Sequence, residues 1–236
     1  PNPQSPIPNT GIKYNGSKSG SNSVVAACED QYIIGAPEDG IHSNNTTNIT
    51  GGTITINAAD DGIATANTLN ILNAAKIIVN TAYEGIEASV INVGKSDSST
   101  ATPSVKVFTN DDGINAAKKT NVTYVYTDEN EEAYTKTSTA SSDNSFTITD
   151  GYVYVCIADD TTHTGTLKNS DGTATFDYSF SASGDGIDCN GSFYAFGGTV
   201  IVNGQKDTNN SPIDTEDNAS YEIAEGATIL AFGGNM

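Results

Sequence analysis

"PEDGIHSNNTTNITGGTITINAADDGIATANT", residues 37–68, contains one short phrase twice. Glu38-Asp39-Gly40-Ile41 returns as Asp60-Asp61-Gly62-Ile63, and a Gly-Gly followed by an alternating Thr/Ile run lies between them. The phrase goes on recurring. Acid-Gly-Ile appears at Asp39-Gly40-Ile41, Asp61-Gly62-Ile63, Glu84-Gly85-Ile86, Asp112-Gly113-Ile114 and Asp185-Gly186-Ile187. The intervals between the acids are 22, 23, 28 and 73 residues. The last reads as about three further turns with an insertion inside.

Between the phrases lie alternating apolar runs: GGTITIN (51–57), AAKIIVN (74–80), SVKVF (104–108), DGYVYV (150–155), GGTVIVN (197–203) and GATILAF (226–232). Their period of two and their β-branched content predict short strands. No amphipathic helical stretch separates them, which argues against a βαβ sheet. A sandwich would turn every 8–12 residues, whereas one unit here takes about 22. The expected fold is therefore all-β: a single-stranded, right-handed parallel β-helix (a solenoid) with loop insertions. The Ile of each phrase is expected to point inward as a ladder, with the preceding Gly permitting the turn. Asn57, Asn80 and Asn203, at the ends of their runs, are expected to stack as a second, uncharged ladder. Polar segments 127–148 and 157–183 read as excursions from the coils, and the tail at 205–220 is similar.

The chain of 236 residues carries 10 Lys, no Arg and 29 acids, for a formal net charge of −19. That surface excludes nucleic acid and anionic lipid as partners and suits divalent cations. No run of 18 apolar residues is present, so no membrane insertion is expected. The Pro/Ser/Asn/Gly-rich start reads as a lead-in or linker over 1–27, ahead of a β-helix domain over 28–236. It predicts a secreted or cell-surface protein, associated with a wall or surface, whose export signal has been removed. Cys28, Cys156 and Cys189 form no zinc or redox pattern and read as small buried residues.

Stacked coils would bring Asp39, Asp61, Glu84 and Asp112 to about 5 Å from one another, the spacing of strands in a sheet. At that separation two unit charges repel by about 0.8 kcal/mol in water and about 3 kcal/mol at an effective dielectric of 20. Turn chemistry alone would be served by Asn-Gly, so the choice of charge points to a cation between rungs. Calcium takes six to eight oxygens at about 2.3–2.6 Å, so a single ion spans this rise. Glu38, Asp60 and Asp111 beside the Gly, and Glu87, Asp188 and Asp214 just after the Ile position, offer further oxygens. Lone His42 and His163, with scattered cysteines, do not suit zinc or copper.

The segments EDGIHSNNTTNITGGTITINAADDGIATANTLNI, AYEGIEA, DDGINAA and GDGIDCNGSFYAFGGTVIVNG resemble a family of bacterial calcium-binding, carbohydrate-binding β-helix proteins first recognised in a cellulolytic clostridium. The resemblance covers roughly residues 28–234. It implies a right-handed parallel β-helix similar in shape to pectate lyases, binding of cellulose and polygalacturonate, and calcium near Asp39, Asp61, Glu84, Glu87, Asp112, Asp185 and Asp188.

A pectinase reading competes with binding. Lyases of this shape commonly pair calcium with an Arg base, and here Lys106, Lys118 and Lys119 are the candidates. A polygalacturonase-like hydrolase would use Asp111-Asp112 or Asp60-Asp61 as its acid and base, but the Gly-His-Gly and Arg-x-Lys that accompany such pairs on this fold are absent. Binding is the favoured expectation. With Val153 and Val155 inward, Tyr152 and Tyr154 would point out and stack on sugar rings. Tyr124 and Tyr126 are candidates for the same role. Bound calcium can also bridge to uronate carboxylates. A surface adhesin that uses its insertions to hold a protein partner is the third reading. An ice-binding face would need regular Thr-x-Thr arrays on several coils, and the strand-type run Thr-Ile-Thr occurs only at 53–55 and 147–149.

Overall fold

The computed structural model describes residues 12–14, 31–117, 123–127, 133–137, 144–158, 162–168, 175–181, 184–205, 210–215 and 219–234. For 12–14, 31–33, 123–127, 133–137, 162–168 and 175–181 the description is of the backbone. The described residues form no helix. β1 (Ile12–Tyr14) comes first, within the stretch expected to be a lead-in, and pairs with the first complete coil. That coil contains β2 (Gln31–Ala36), β3 (Ile41–Ser43) and β4 (Thr46–Ile49). β5 (Thr53–Ala58) and β6 (Ile63–Leu72) make the second, and β7 (Lys76–Thr81) and β8 (Ile86–Gly94) the third. The fourth has β9 (Ser104–Thr109), β10 (Ile114–Ala116), an excursion with β11 (Thr123–Thr127) and β12 (Ala133–Thr137), and then β13 (Ser145–Ile148). The fifth has β14 (Tyr152–Ile157), an excursion with β15 (Thr162–Lys168) and β16 (Thr175–Ser181), then β17 (Ile187–Cys189) and β18 (Ser192–Ala195). β19 (Thr199–Asn203), β20 (Ile213–Thr215), β21 (Tyr221–Ile223) and β22 (Thr228–Phe232) complete the series.

Every ladder between coils is parallel, so the molecule is a parallel β-helix with three arms per turn. The base sheet runs β2-β5-β7-β9-β14-β19-β22. The first arm runs β1-β3-β6-β8-β10-β17-β20. The second arm links β4, the later half of β6, the later half of β8, β13, β18 and β21. Both excursions are antiparallel hairpins.

Several expectations need correction. The 73-residue interval is a single coil, because Ile114 pairs directly with Ile187. The two hairpins account for the added length. Segment 145–148, expected to lie in the first insertion, returns to the solenoid as β13, where Phe146 and Ile148 are fully buried.

The Ile ladder forms as expected. Ile41, Ile63, Ile86, Ile114 and Ile187 stack in register and are buried, and Ile213 continues the column half-buried. Each fully buried Ile contributes about 1.5–3 kcal/mol of transfer free energy. From the base sheet, Ile54, Ile56, Ile77, Val79, Val105, Val107, Val153, Val155, Val200 and Val202 fill the other side of the core.

The phrase glycines are needed for a reason other than the one expected. Gly40, Gly62, Gly85, Gly113 and Gly186 are not among the residues with positive φ. They lie where successive coils touch: a Cβ on Gly40 would stand 2.7 Å from the carbonyl oxygen of Gly62, and one on Gly62 would stand 2.5 Å from that of Gly85. Among the described residues the left-handed backbone belongs to the turns that feed the base sheet, at Gly52, Asn73, Gly151, Gly198 and Gly226, a conformation that glycine adopts without strain.

The asparagine ladder also exists, but in another column. Asn70 Nδ2 donates to Asn48 Oδ1 at 2.8 Å, and Asn92 Nδ2 donates to Asn70 Oδ1 at 2.8 Å. The expected column fails because a register shift after Ile56 pairs Asn57 with Thr81, and because Asn203 lies beside Cys156 and Phe232.

The glycine contacts yield a prediction. In Gly62→Ala the new methyl would also stand 2.9 Å from both methyls of Val79. Overpacking of this kind costs about 3 kcal/mol, a fall of about 6–12 °C in melting temperature for a chain of this size. Calorimetry decides it: a variant that melts with the parent would show that the coils have slack at this turn.

Candidate functional site

The recurring acids occupy the turn between the base sheet and the first arm. Backbone hydrogen bonds tie these turns together. The amide of Gly40 donates to the carbonyl of Asp61 at 2.8 Å, Gly62 to Glu84 at 2.9 Å, Gly85 to Asp112 at 2.9 Å and Gly113 to Asp185 at 3.0 Å. One acid per coil therefore stands over the next at strand spacing. The carboxylates contribute to the same stacking. Asp39 Oδ1 accepts the amide of Asp61 at 3.4 Å, Asp112 Oδ1 accepts that of Asp185 at 2.7 Å, and Asp185 Oδ1 accepts that of Ser211. Each of these side chains satisfies a turn amide of the following coil, a role that a carboxylate fills more strongly than a neutral acceptor.

Eight of the ten acids expected to bind metal converge in three clusters, in each of which the carboxylate oxygens lie within 4.8 Å of one another. Asp39, Asp60 and Asp61 form the first; Asp61, Glu84 and Glu87 the second; Asp185, Asp188 and Asp214 the third. Asp61 belongs to two. Asp111 and Asp112 fall outside these groups. Asp111 accepts a hydrogen bond from the Tyr83 hydroxyl, which together with the negative charge nearby pushes the phenol up to about 12.

Burial of like charge dominates the electrostatics. Asp61 is only 8% exposed. Burial, then Glu84, Glu87, Asp39 and Asp60, push its carboxyl up to about 10. Asp112 rises to about 8, chiefly through burial and then through Asp188, Asp111 and Glu84, against the opposing hydrogen bond from the Asp185 amide. Burial also raises Asp111.

The position after each Ile forms a parallel column: His42, Ala64, Glu87, Asn115, Asp188 and Asp214. Asn115 was not anticipated as a ligand, although it occupies in "DDGIN" the place that Glu87 and Asp188 hold in their phrases. It is 8% exposed; its Nδ2 donates to Glu84 Oε2 at 3.3 Å, and its Oδ1 has no hydrogen-bond partner. A buried, unanswered oxygen beside carboxylates is the group a hard cation would satisfy. At the first coil the column holds His42, with Nδ1 2.5 Å from Asp39 Oδ2 and Nε2 2.9 Å from Asn44 Oδ1.

The donor set fits calcium. It is built of carboxylate and amide oxygens, and twice a calcium–oxygen bond is about 5 Å, the span of each cluster. Cys189 faces inward and is pushed up to about 12 by burial and then by Asp188, so it is a poor soft ligand at neutral pH.

The aromatic candidates separate into two groups. Val153 and Val155 are buried and Tyr152 and Tyr154 point outward from the base sheet, as expected. Tyr154 packs against Phe108 with ring centroids 5.7 Å apart. Tyr124 and Tyr126 lie on β11, away from the solenoid ladders, and their side chains, like that of His163, lie outside the described residues. Of the lysines considered as bases, Lys106 projects outward from β9 and is exposed, whereas Lys118 and Lys119 lie outside the described residues, as does Cys28.

A family model described as "Carbohydrate-binding domain-containing protein" matches residues 31–234, nearly the whole solenoid. No curated protein and no solved structure matches the chain.

The raised carboxyls set the sign of the pH dependence. A group whose folded pKa lies above its unfolded value of 3.8 binds more protons in the native state. Stability then falls as pH rises through the interval between the two values. In EDTA, melting temperatures are expected to be highest near pH 4 and to decline steadily to pH 8, the folded value for Asp112. A rise over that range would mean that the acids are held ionised by partners.

Proposed function

The chain belongs to the carbohydrate-binding domain-containing family, and on that footing we propose that it is a non-catalytic, calcium-dependent binder of an extracellular polysaccharide of the pectate or cellulose type. We place it outside the cell, secreted or attached to the surface, where millimolar calcium and structural polysaccharide meet. The observation that carries the calcium reading is the convergence of acids from successive coils into clusters with oxygens within 4.8 Å, around Asp61 at 8% exposure. Without a counter-cation such a pile must either take up protons or repel itself.

Asp39, Asp60, Asp61, Glu84 and Glu87 would hold ions at one end of the column, and Asp185, Asp188 and Asp214 at the other, with Asn115 and Asp112 between them. Calcium, when bound, supplies the positive charge that lets these carboxylates remain ionised side by side. The chain's own part is to keep the turns in register through the amide-to-carboxylate bonds described above. The base sheet would then stay a fixed surface for a polymer. Binding to a repeating glycan needs such a surface more than it needs a deep pocket.

Two measurements test the reading. Calcium should raise the melting temperature and increase retention on pectate or cellulose columns, and EDTA should reverse both; a site filled at 100 times its Kd contributes about 2.7 kcal/mol. Asp61→Asn should raise the melting temperature of the chelated protein, because it removes the most deeply buried acid of the pile, and should abolish most of the stabilisation by calcium. A chelated variant less stable than the parent, with the calcium response intact, would remove Asp61 from the site. New reducing ends or ultraviolet-absorbing unsaturated uronates on incubation with pectate would replace the binding reading with a hydrolase or a lyase.

A further inference from the structure

The solenoid presents three outer faces, and their chemistry differs. The first arm carries Glu87, Asp188 and Asp214 outward. The second arm carries the Asn48–Asn70–Asn92 ladder, whose amides hydrogen-bond one another. The base sheet is different again: along β5, β7, β9, β14, β19 and β22 the outward positions, which alternate with the buried Ile and Val, hold no acid at all. In a chain with 29 acids and a net charge of −19, this face carries two lysines instead.

Those lysines are placed in register with the tyrosines. Lys76 pairs with Ser104, which pairs with Tyr152. Lys106 pairs directly with Tyr154. Two adjacent rows of the sheet thus each hold one ammonium and one phenol ring. Both lysines are exposed, and among the described residues neither forms an ion pair, whereas Lys95 is held by Asp150 at 2.6 Å. Phe108, 39% exposed, tilts at 56° against Tyr154 and extends the ring surface, and Leu230 at 47% and Phe232 at 57% continue it toward the last coil. Large apolar side chains gathered on one sheet face mark a contact surface. Half-buried tyrosines give such a surface broad apolar area with only two side-chain torsions to fix.

We propose that this outer face of the base sheet is the polysaccharide-docking site, with Phe108, Tyr152 and Tyr154 stacking on sugar rings and Lys76 and Lys106 selecting chains that bear carboxylates. The proposal rests on the reading that the protein binds polysaccharide, and adds where it does so and which residues set its preference. An extended glycan would run across strands stacked about 4.8 Å apart. Its apolar ring faces meet the aromatics, and its uronate groups accept hydrogen bonds from the ammonium groups. The other exposed ring pair, Tyr194 and Phe196, with centroids 5.6 Å apart at 11°, is a weaker platform for such a chain. Tyr194 pairs with Glu222, and the described second-arm strands place no lysine beside it.

The test uses the calcium-loaded protein, with binding measured by calorimetry and affinity electrophoresis on de-esterified polygalacturonate, fully methyl-esterified polygalacturonate and cellohexaose. Tyr154→Ala should weaken binding to whichever of these the parent binds by about tenfold or more. The double variant Lys76→Gln/Lys106→Gln should lose about tenfold on the de-esterified polymer alone and make its binding less sensitive to salt. Tyr194→Ala should match the parent, and unchanged melting curves will show that each variant is folded. If the base-sheet variants bind as the parent does, or if Tyr194→Ala is the one that fails, this face is not the site although the protein remains a glycan binder. If the parent binds none of the three probes, the broader reading fails and the assignment of this face fails with it.

Discussion

Vertical register is the constraint on which the rest of the molecule depends. In a parallel β-helix each backbone amide of a strand is answered by the neighbouring coil, so residues at equivalent positions are forced to within about 4.8 Å of one another. Whatever chemistry a position carries is repeated along the axis. Repetition favours Ile, which packs on Ile. It favours Asn, which both donates and accepts and so bonds its own kind, as Asn48, Asn70 and Asn92 do. It forbids a Cβ at the phrase glycines, where the carbonyl of the next coil already occupies the space. It penalises like charges, and at the first-arm turn the chain accepts the penalty coil after coil.

That acceptance has two physical returns, which act in different directions. A carboxylate at this turn takes the amide of the next coil's acid, seen for Asp39, Asp112 and Asp185, and so adds a bond that locks the register. Ionised carboxylates make that bond best, yet burial drives Asp112 toward the neutral form, and Asp61 in the same column further still. Protonation would relieve the repulsion while weakening the acceptor. A divalent cation relieves it and leaves the acceptor charged, which is why the calcium reading fits the turn better than a proton does. Asn115 shows the same tension at the one coil whose first-arm column bears an amide between carboxylates: it answers Glu84 with its nitrogen and leaves its oxygen unanswered.

Much of this was legible in the sequence because a solenoid writes its cross-section into its period. The Asp-Gly-Ile phrase located the turn, the Gly-Gly and Thr/Ile runs located the base sheet, and the Val/Tyr alternation of 152–155 gave the parity of β14 correctly. What failed did so where period and register part company. Spacing alone could not tell three short coils from one coil with two hairpins between Ile114 and Ile187, since both satisfy 73 residues. Run-final asparagines looked stacked because their sequence contexts match, but a single extra residue between Ile56 and the end of β7 shifts Asn57 away from Asn80. The phrase glycines were expected only to permit the turn, and the approach of the Gly62 and Gly85 oxygens reveals that the requirement is space. Asn115 carries no charge to mark it as a ligand, and its position in the phrase is the better guide.

The same repetition would let a chain of net charge −19 hold an anionic polymer, as proposed above. Charge on a solenoid is sorted by arm, since each arm repeats its own residue types. Acids gather on the first arm and its turn, while the outward side of the base sheet carries lysine and aromatic rings. A glycan on the outer side of the base sheet would meet Lys76 and Lys106 at contact distance, while the acid column lies beyond the ends of those strands, at the turn into the first arm. Net charge is then a poor guide to the partner, and the arm on which a charge falls is the better one.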